Sequence, residues 1–331
     1  MSSADIIPII DLGPYLAGAP GALDRAGEKL RHALTEIGFY AIVNHGVPAA
    51  LIRETYAQVA RFHAQPLDKK LAIKLDKHNV GYLPMMGDTL RTSVVANVTK
   101  PNMSEALFIA RDLPPDHPDV VAGRRFRSAN QWLEGLPGLR ETIVRYCDTL
   151  ERLVQKLVRV YARALDLPAA YFDAPFQDFQ YKLRATHYPR QPSEAADDEF
   201  GIAPHTDTSF LTLLAPNDVP GLAFRAQDGG WIDVPPNPDA FLVNGGQLLL
   251  RWTNDRFLAT PHRAINRTGG ERYALAFFCD ANIDWPVAAV PTCVGPDNPP
   301  KYETTYYTDY MIRYQARTYN IFGNEAKDAA E

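Results

Sequence analysis

His205 and Asp207 stand two residues apart in Pro204-His205-Thr206-Asp207-Thr208-Ser209-Phe210. In an extended segment, residues i and i+2 project to one face, so both side chains can reach a single ion. His262 follows in Thr260-Pro261-His262-Arg263-Ala264, a second extended-looking stretch. Two imidazoles and one carboxylate on one face of a metal, with the other positions open, form the ligand set of a non-haem Fe(II) centre. Arg272, in Glu271-Arg272-Tyr273-Ala274, offers a planar guanidinium that can hold the far end of a dicarboxylate whose near end chelates that metal. A lone histidine is usually a hydrogen-bonded core residue; here the set carries the reading. His45 reads as a turn residue, His187 lies beside Tyr188 with no evident role, and His32, His63, His78 and His117 fall in surface-helix or loop contexts.

Secondary elements must bring these side chains together. Leu23, Leu30, Leu34 and Ile37 follow a helical period that stops at Gly38, and Phe39–Val43 reads as a short buried strand. Ile52, Tyr56, Val59 and Phe62 mark a second helix ending before Pro66. The stretch 81–119 reads as irregular. Leu139, Ile143, Tyr146, Leu150, Leu153, Leu157, Tyr161 and Leu165 then form one long apolar stripe, which needs a large partner surface such as a sheet. Beyond about residue 178, short strand-like runs follow at 180–188, 210–214, 221–225, 231–234, 240–243, 247–251, 259–266 and 272–279, separated by Pro, Gly, Asn and Asp. That pattern predicts a sandwich or jelly roll carrying the whole candidate site. A Tyr-rich helix is expected over 304–319, with frayed residues from Asn324.

At 331 residues, with 46% hydrophobic and 22% charged residues, the chain has the composition of a globular protein. A net charge of −5, a pI near 5.9 and the absence of a Lys/Arg run interleaved with aromatics argue against a nucleic-acid partner. The acidic run Ser193–Glu199 reads as a solvated loop. No apolar run is long enough to cross a bilayer, and the N-terminus lacks the basic and apolar regions of a secretory signal. Cys147, Cys279 and Cys293 lack metal-type spacing, which points to reduced thiols in a cytoplasmic protein; a monomer or weak homo-oligomer is expected.

Several segments, in order, resemble the isopenicillin N synthase-like group of Fe(II)- and 2-oxoglutarate-dependent oxygenases, over nearly the whole chain. They are Ile7-Pro8-Ile9-Ile10-Asp11-Leu12, Gly38-Phe39-Tyr40-Ala41-Ile42-Val43-Asn44-His45-Gly46-Val47, Leu183-Arg184-Ala185-Thr186-His187-Tyr188-Pro189 and Val243-Asn244-Gly245-Gly246-Gln247. Lys100-Pro101-Asn102-Met103-Ser104-Glu105-Ala106-Leu107-Phe108 is a looser match. The resemblance implies an α+β fold with a mainly β core, a double-stranded β-helix flanked by helices. Residues 5–120 would form an N-terminal mixed region and 178–283 the jelly-roll core, with 121–177 and 284–331 as supporting helices and C-terminal lid of one compact unit.

It further implies Fe(II) on His205, Asp207 and His262, and 2-oxoglutarate anchored by Arg272 and Tyr188. With O2, a small-molecule substrate would be oxidised as succinate and CO2 are released. Phe108, Phe210 and Phe278 are candidate walls of the substrate pocket. Two positions depart from the family pattern. The usual Arg-x-Ser pair is Arg272-Tyr273-Ala274, which lacks the hydroxyl, and Thr186 replaces an Asn. Losing one hydrogen bond to a charged group costs roughly 1.5–3 kcal/mol, so the anchor is weakened or altered rather than abolished. An Fe(II)/O2 oxidase that does not use 2-oxoglutarate, a zinc hydrolase and a non-catalytic metal-binding sensor are the competing readings.

Overall fold

The long apolar stripe becomes a single helix, Leu139–Ala164, whose buried face carries Ile143, Tyr146, Leu150, Leu153, Leu157 and Tyr161. Its partner surface is an eight-stranded sheet, as a stripe of that length requires. The computed structural model describes residues 6–91, 93, 95–190 and 199–318. The acidic run and the frayed tail fall mainly or wholly outside them.

Among the described residues the strands are β1 (Ile9–Asp11), β2 (Phe39–Val43), β3 (Gly81–Leu83), β4 (Glu105–Ala110), β5 (Gln180–Tyr188), β6 (Ile202–His205), β7 (Leu211–Leu214), β8 (Leu222–Arg225), β9 (Trp231–Asp233), β10 (Phe241–Gly245), β11 (His262–Ala264) and β12 (Arg272–Asp280). The larger sheet runs β1-β2-β10-β7-β12-β5-β4-β3, and a smaller one runs β6-β11-β8-β9. Residues of both sheets line one interior cavity. This is the expected jelly-roll core with flanking helices.

Six helices bear on the argument: α1 (Ala22–Glu36), α2 (Ala49–His63), α3 (Leu67–Leu71), α4 (Leu139–Ala164), α5 (Gln247–Trp252) and α6 (Tyr307–Thr318). On β5, Tyr181, Leu183 and Ala185 join the core against α4, whereas Arg184, Thr186 and Tyr188 line the cavity. On β12, Leu275, Phe277 and Cys279 join the same core, and Arg272, Ala274, Ala276 and Phe278 face inward. The period of two thus separates a helix-packed face from a chemical face. Tyr40 on β2 and Tyr161 on α4 link sheet to helix through hydroxyls 3.0 Å apart.

Three expectations are corrected. Residues 247–251 are helical, not a strand: the Gly245-Gly246 pair ends β10, and Gln-Leu-Leu-Leu-Arg-Trp is a run of mostly good helix formers whose continuous apolarity carries no period. The stretch 81–119 contains β3 and β4, which extend the larger sheet beyond β5. His63 is buried between α2 and the sheet rather than exposed.

Candidate active site

Strand register assembles the metal-type cluster. β6 and β11 are antiparallel, and His205 and His262 are direct cross-strand partners with ring centroids 4.3 Å apart. Asp207 lies two residues past the end of β6, and its Oδ1 stands 3.6 Å from Nε2 of each histidine. Each Nδ1 donates to the carbonyl two residues before it, His205 to Ala203 at 2.9 Å and His262 to Thr260 at 3.2 Å. That pairing puts the proton on Nδ1 and turns both Nε2 lone pairs toward Asp207 Oδ1.

The other carboxylate oxygen is already engaged. Asp207 Oδ2 accepts from Thr212 Oγ1 at 2.6 Å and from Asn244 Nδ2 at 2.7 Å, so Oδ1 alone faces the imidazoles. The backbone there is held just as closely. Gln247 N donates to Asp207 O at 2.8 Å, and a Cβ on Gly246 would meet Ser209 O at 2.3 Å and Asp207 O at 2.9 Å. Only glycine lets α5 start against the metal-type turn.

Electrostatics favour positive charge where the three atoms converge. Burial opposes ionisation of Asp207, yet the facing His262 and His205 hold it well below the usual carboxylate range. Burial, then His262, pushes His205 down, whereas at His262 the Asp207 carboxylate outweighs burial and raises it.

The candidate carboxylate anchor lies on the ladder between β5 and β12. Arg272 and Tyr188 are cross-strand partners, and the guanidinium sits over the Tyr188 ring at 4.8 Å from its centroid. Arg272 Nε donates to Val219 O at 3.4 Å, while Nη1 is buried without a hydrogen-bond partner. A buried guanidinium nitrogen in that state can take a carboxylate oxygen. Gly221, at φ +137°, lets the backbone pass close by: a Cβ there would meet Ile265 O at 2.4 Å and lie 3.3 Å from Arg272 Nε.

Of the three phenylalanines, Phe278 lines the cavity. Phe108 is on β4 behind Arg184, whose guanidinium stacks on its ring at 5.4 Å. Phe210 is corrected to a core residue. It lies at a bend before β7 and packs against Tyr161, Phe172 and Phe176 at 5.1, 5.4 and 4.9 Å. Sequence reasoning missed Thr212 and Asn244 as partners of Asp207 and Arg184 as a cavity residue, and it marked Thr186 only as a departure from the family pattern, not as part of the cavity wall. The signal for the latter two was polar residues at every second position of a strand otherwise made of Tyr181, Leu183 and Ala185.

Comparison with known proteins defines the class. Residues 179–281 match the 2OG-Fe(II) oxygenase superfamily, and residues 7–135 match the non-haem dioxygenase in morphine synthesis N-terminal family. The chain belongs to the Fe(II)- and 2-oxoglutarate-dependent oxygenases and is a dioxygenase using Fe(II), 2-oxoglutarate and O2. Among its relatives, the 2-oxoglutarate-Fe(II) type oxidoreductase hxnY of Emericella nidulans is 32% identical over 332 residues, covering 98% of this chain and 93% of that one. A full-length Neurospora crassa protein in complex with alpha-KG and thymine superimposes with a TM-score of 0.80 at 26% identity, covering 94% and 96% of the two chains. The rice dioxygenase for auxin oxidation gives 0.72 at 28% identity, covering 93% and 94%.

Proposed function

We propose that His205, Asp207 and His262 hold the Fe(II) of this dioxygenase, and that Arg272 and Tyr188 hold the far carboxylate of 2-oxoglutarate. The observation that carries the metal assignment is the convergence of two Nε2 lone pairs on one carboxylate oxygen, with every other polar atom of those side chains already engaged. The donor set, two neutral imidazoles and one carboxylate, suits Fe(II) and leaves one face open. The buried, unpartnered Nη1 of Arg272 suits a dicarboxylate. When bound, iron, 2-oxoglutarate and O2 together supply an oxidant for a substrate C–H bond, with succinate and CO2 released.

The chain's own part is placement. Val219 and the Tyr188 ring fix the Arg272 fork, and Thr186 adds a hydroxyl to the same wall. Leu214, Leu222, Leu242 and Phe278 keep the cavity apolar, which excludes water from the reacting centre. The primary substrate is a small molecule, in keeping with the thymine and auxin in the names of two structural neighbours. Among the described residues no helix is long and apolar enough to cross a membrane. Three buried free thiols support a cytoplasmic protein and the acidic pI one without a nucleic-acid partner; a monomer or weak homo-oligomer is our reading of its assembly. Substrate-stimulated conversion of 2-oxoglutarate to succinate, screened across small metabolites, tests the reading. Iron-loaded protein that forms no succinate with any of them would overturn it.

A further inference from the structure

The outer face of the larger sheet, turned away from the cavity, carries a second polar cluster at the level of the carboxylate anchor. His63, Glu105 and His187 place ligand-type atoms within 4.8 Å of one another. Glu105 is on β4, His187 on β5, His63 on α2. Around them stand Lys70 on α3, Tyr82 on β3, and Glu271 and Tyr273 at the start of β12.

Hydrogen-bond accounting shows what the cluster holds. Glu105 Oε2 accepts from Lys70 Nζ at 2.7 Å and from the Tyr82 hydroxyl. His187 Nδ1 lies 2.8 Å from Glu105 Oε1, and its Nε2 contacts a Glu271 carboxylate oxygen. A carboxylate only accepts, so both ring nitrogens of His187 must donate, which only an imidazolium can do. His63 differs. Its Nε2 donates to the Ala185 carbonyl at 3.1 Å, leaving Nδ1 3.5 Å from Glu105 Oε1 without a hydrogen bond.

With a proton on His187, the two cations Lys70 and His187 balance the carboxylates of Glu105 and Glu271, and His63 stays neutral. A divalent cation in place of that proton would leave the site with excess positive charge, with Lys70 already on the shared carboxylate. The cluster is built around a proton. Burial works against the imidazolium, but its hydrogen bonds to Glu105 and Glu271 outweigh it and raise His187 above the ordinary histidine range.

His187 and Tyr273 stack at 4.9 Å and 17°, and they are cross-strand partners one position along from the Tyr188–Arg272 pair. This is the end of β5 and the start of β12, where a ladder has no further pairing to hold its register. We propose that His187 is a positioning residue: as an imidazolium clamped between Glu105 and Glu271, it ties β4, β5 and β12 together on their outer face and so holds Tyr188 and Arg272 in place for the dicarboxylate. The inference rests on the anchor role of Arg272. Below the raised pKa the clamp is complete; as pH rises through it, one donor is lost and the anchor loosens.

The test uses the full-length Fe(II)-loaded protein under anaerobic conditions, reading 2-oxoglutarate affinity from the absorbance of the metal complex between about pH 6 and pH 9. Nitrogen-15 imidazole shifts of His187, assigned with H187Q, report its charge directly. Expected are an imidazolium at neutral pH and an affinity that falls by roughly tenfold as the proton leaves. H187Q should lose that part of the pH dependence. E271Q, altered at the exposed rim, should fold in any case and shift the fall to lower pH. A neutral His187 at pH 7, or identical affinity profiles in the parent and both variants, overturns the proposal. So does zinc bound at the cluster with loss of the imidazolium signal. Absence of 2-oxoglutarate binding by the parent at every pH would instead defeat the anchor assignment, and the coupling with it, while the nitrogen shifts still report the clamp.

Discussion

Thr186 and Ala274 face each other across the ladder between β5 and β12 as direct cross-strand partners, both lining the cavity. These are the two positions at which the chain departs from its family pattern. Directly opposed side chains have Cβ atoms about 4.5–5.5 Å apart, so the hydroxyl absent from Ala274 is present on the neighbouring strand. Thr186→Val keeps the shape and removes the donor. It should weaken 2-oxoglutarate binding roughly tenfold, in line with about 1.5 kcal/mol for a hydrogen bond to a charged group. Adding Ala274→Ser to that variant should restore affinity. Titration of the anaerobic iron protein measures both, and an unaltered T186V would remove Thr186 from the anchor.

Arg272→Lys keeps the charge but loses the planar fork and the stacking on Tyr188. Its apparent KM for 2-oxoglutarate should rise by at least tenfold while iron content stays at the parent level. Steady-state kinetics beside metal analysis separate the two effects. A parallel loss of iron would mean that the residue supports the fold of the site rather than the cosubstrate.

Asn244→Ala and Thr212→Val each take one donor from Asp207 Oδ2. The carboxylate is then held by one donor instead of two, and metal affinity should drop by about 10–100-fold without loss of the fold. Competition with a chelator gives the number. Gly246→Ala should be more damaging, because its Cβ would meet backbone atoms of Ser209 and Asp207.

Lys182 is buried on β5, donates to His78 O at 3.2 Å, and is pushed down to about 7 by burial, with Asp76 opposing. The unfolded chain therefore binds a proton that the folded chain does not. Through this residue, stability rises with pH from about 7 toward the ordinary lysine value near 10.4. Lys182→Met should raise the thermal midpoint at neutral pH by several degrees and flatten that rise. Melting curves across the range decide it, and a lower midpoint at pH 7 would show that the hydrogen bond to His78 outweighs the cost of burial.

The metal-type triad was legible because its signal is local: a His-x-Asp pair at the end of a strand and a second histidine in another extended segment. Strand β5 was read to its end residues because Pro189 and the polar–apolar alternation bound it on both sides. The helix at Gln247–Trp252 was not legible, since Leu248-Leu249-Leu250 shows no period and only contact with the Asp207 turn decides its form. The partners of Asp207 were hidden for the same reason. Thr212 and Asn244 reach it from β7 and β10, two strands distant in sequence and adjacent in space. His63 and His187 look unrelated along the chain, and only the arrangement of α2 over β4 and β5 joins them through Glu105.

Held as proposed by His205 and His262, the metal would act as a rivet between two short strands. β6 and β11 have four and three residues, and their register shifts between His262 and Ala264. β11 is also held by β8 on its other side, but among the described residues β6 has only this brief ladder, and an ion bound only by the folded form would add stability by mass action. On that assignment iron supply would govern more than turnover. If the triad holds iron as proposed, the smaller sheet of the iron-free protein would open more often and expose itself to proteases, so that the amount of enzyme, and not just its activity, would follow the iron available.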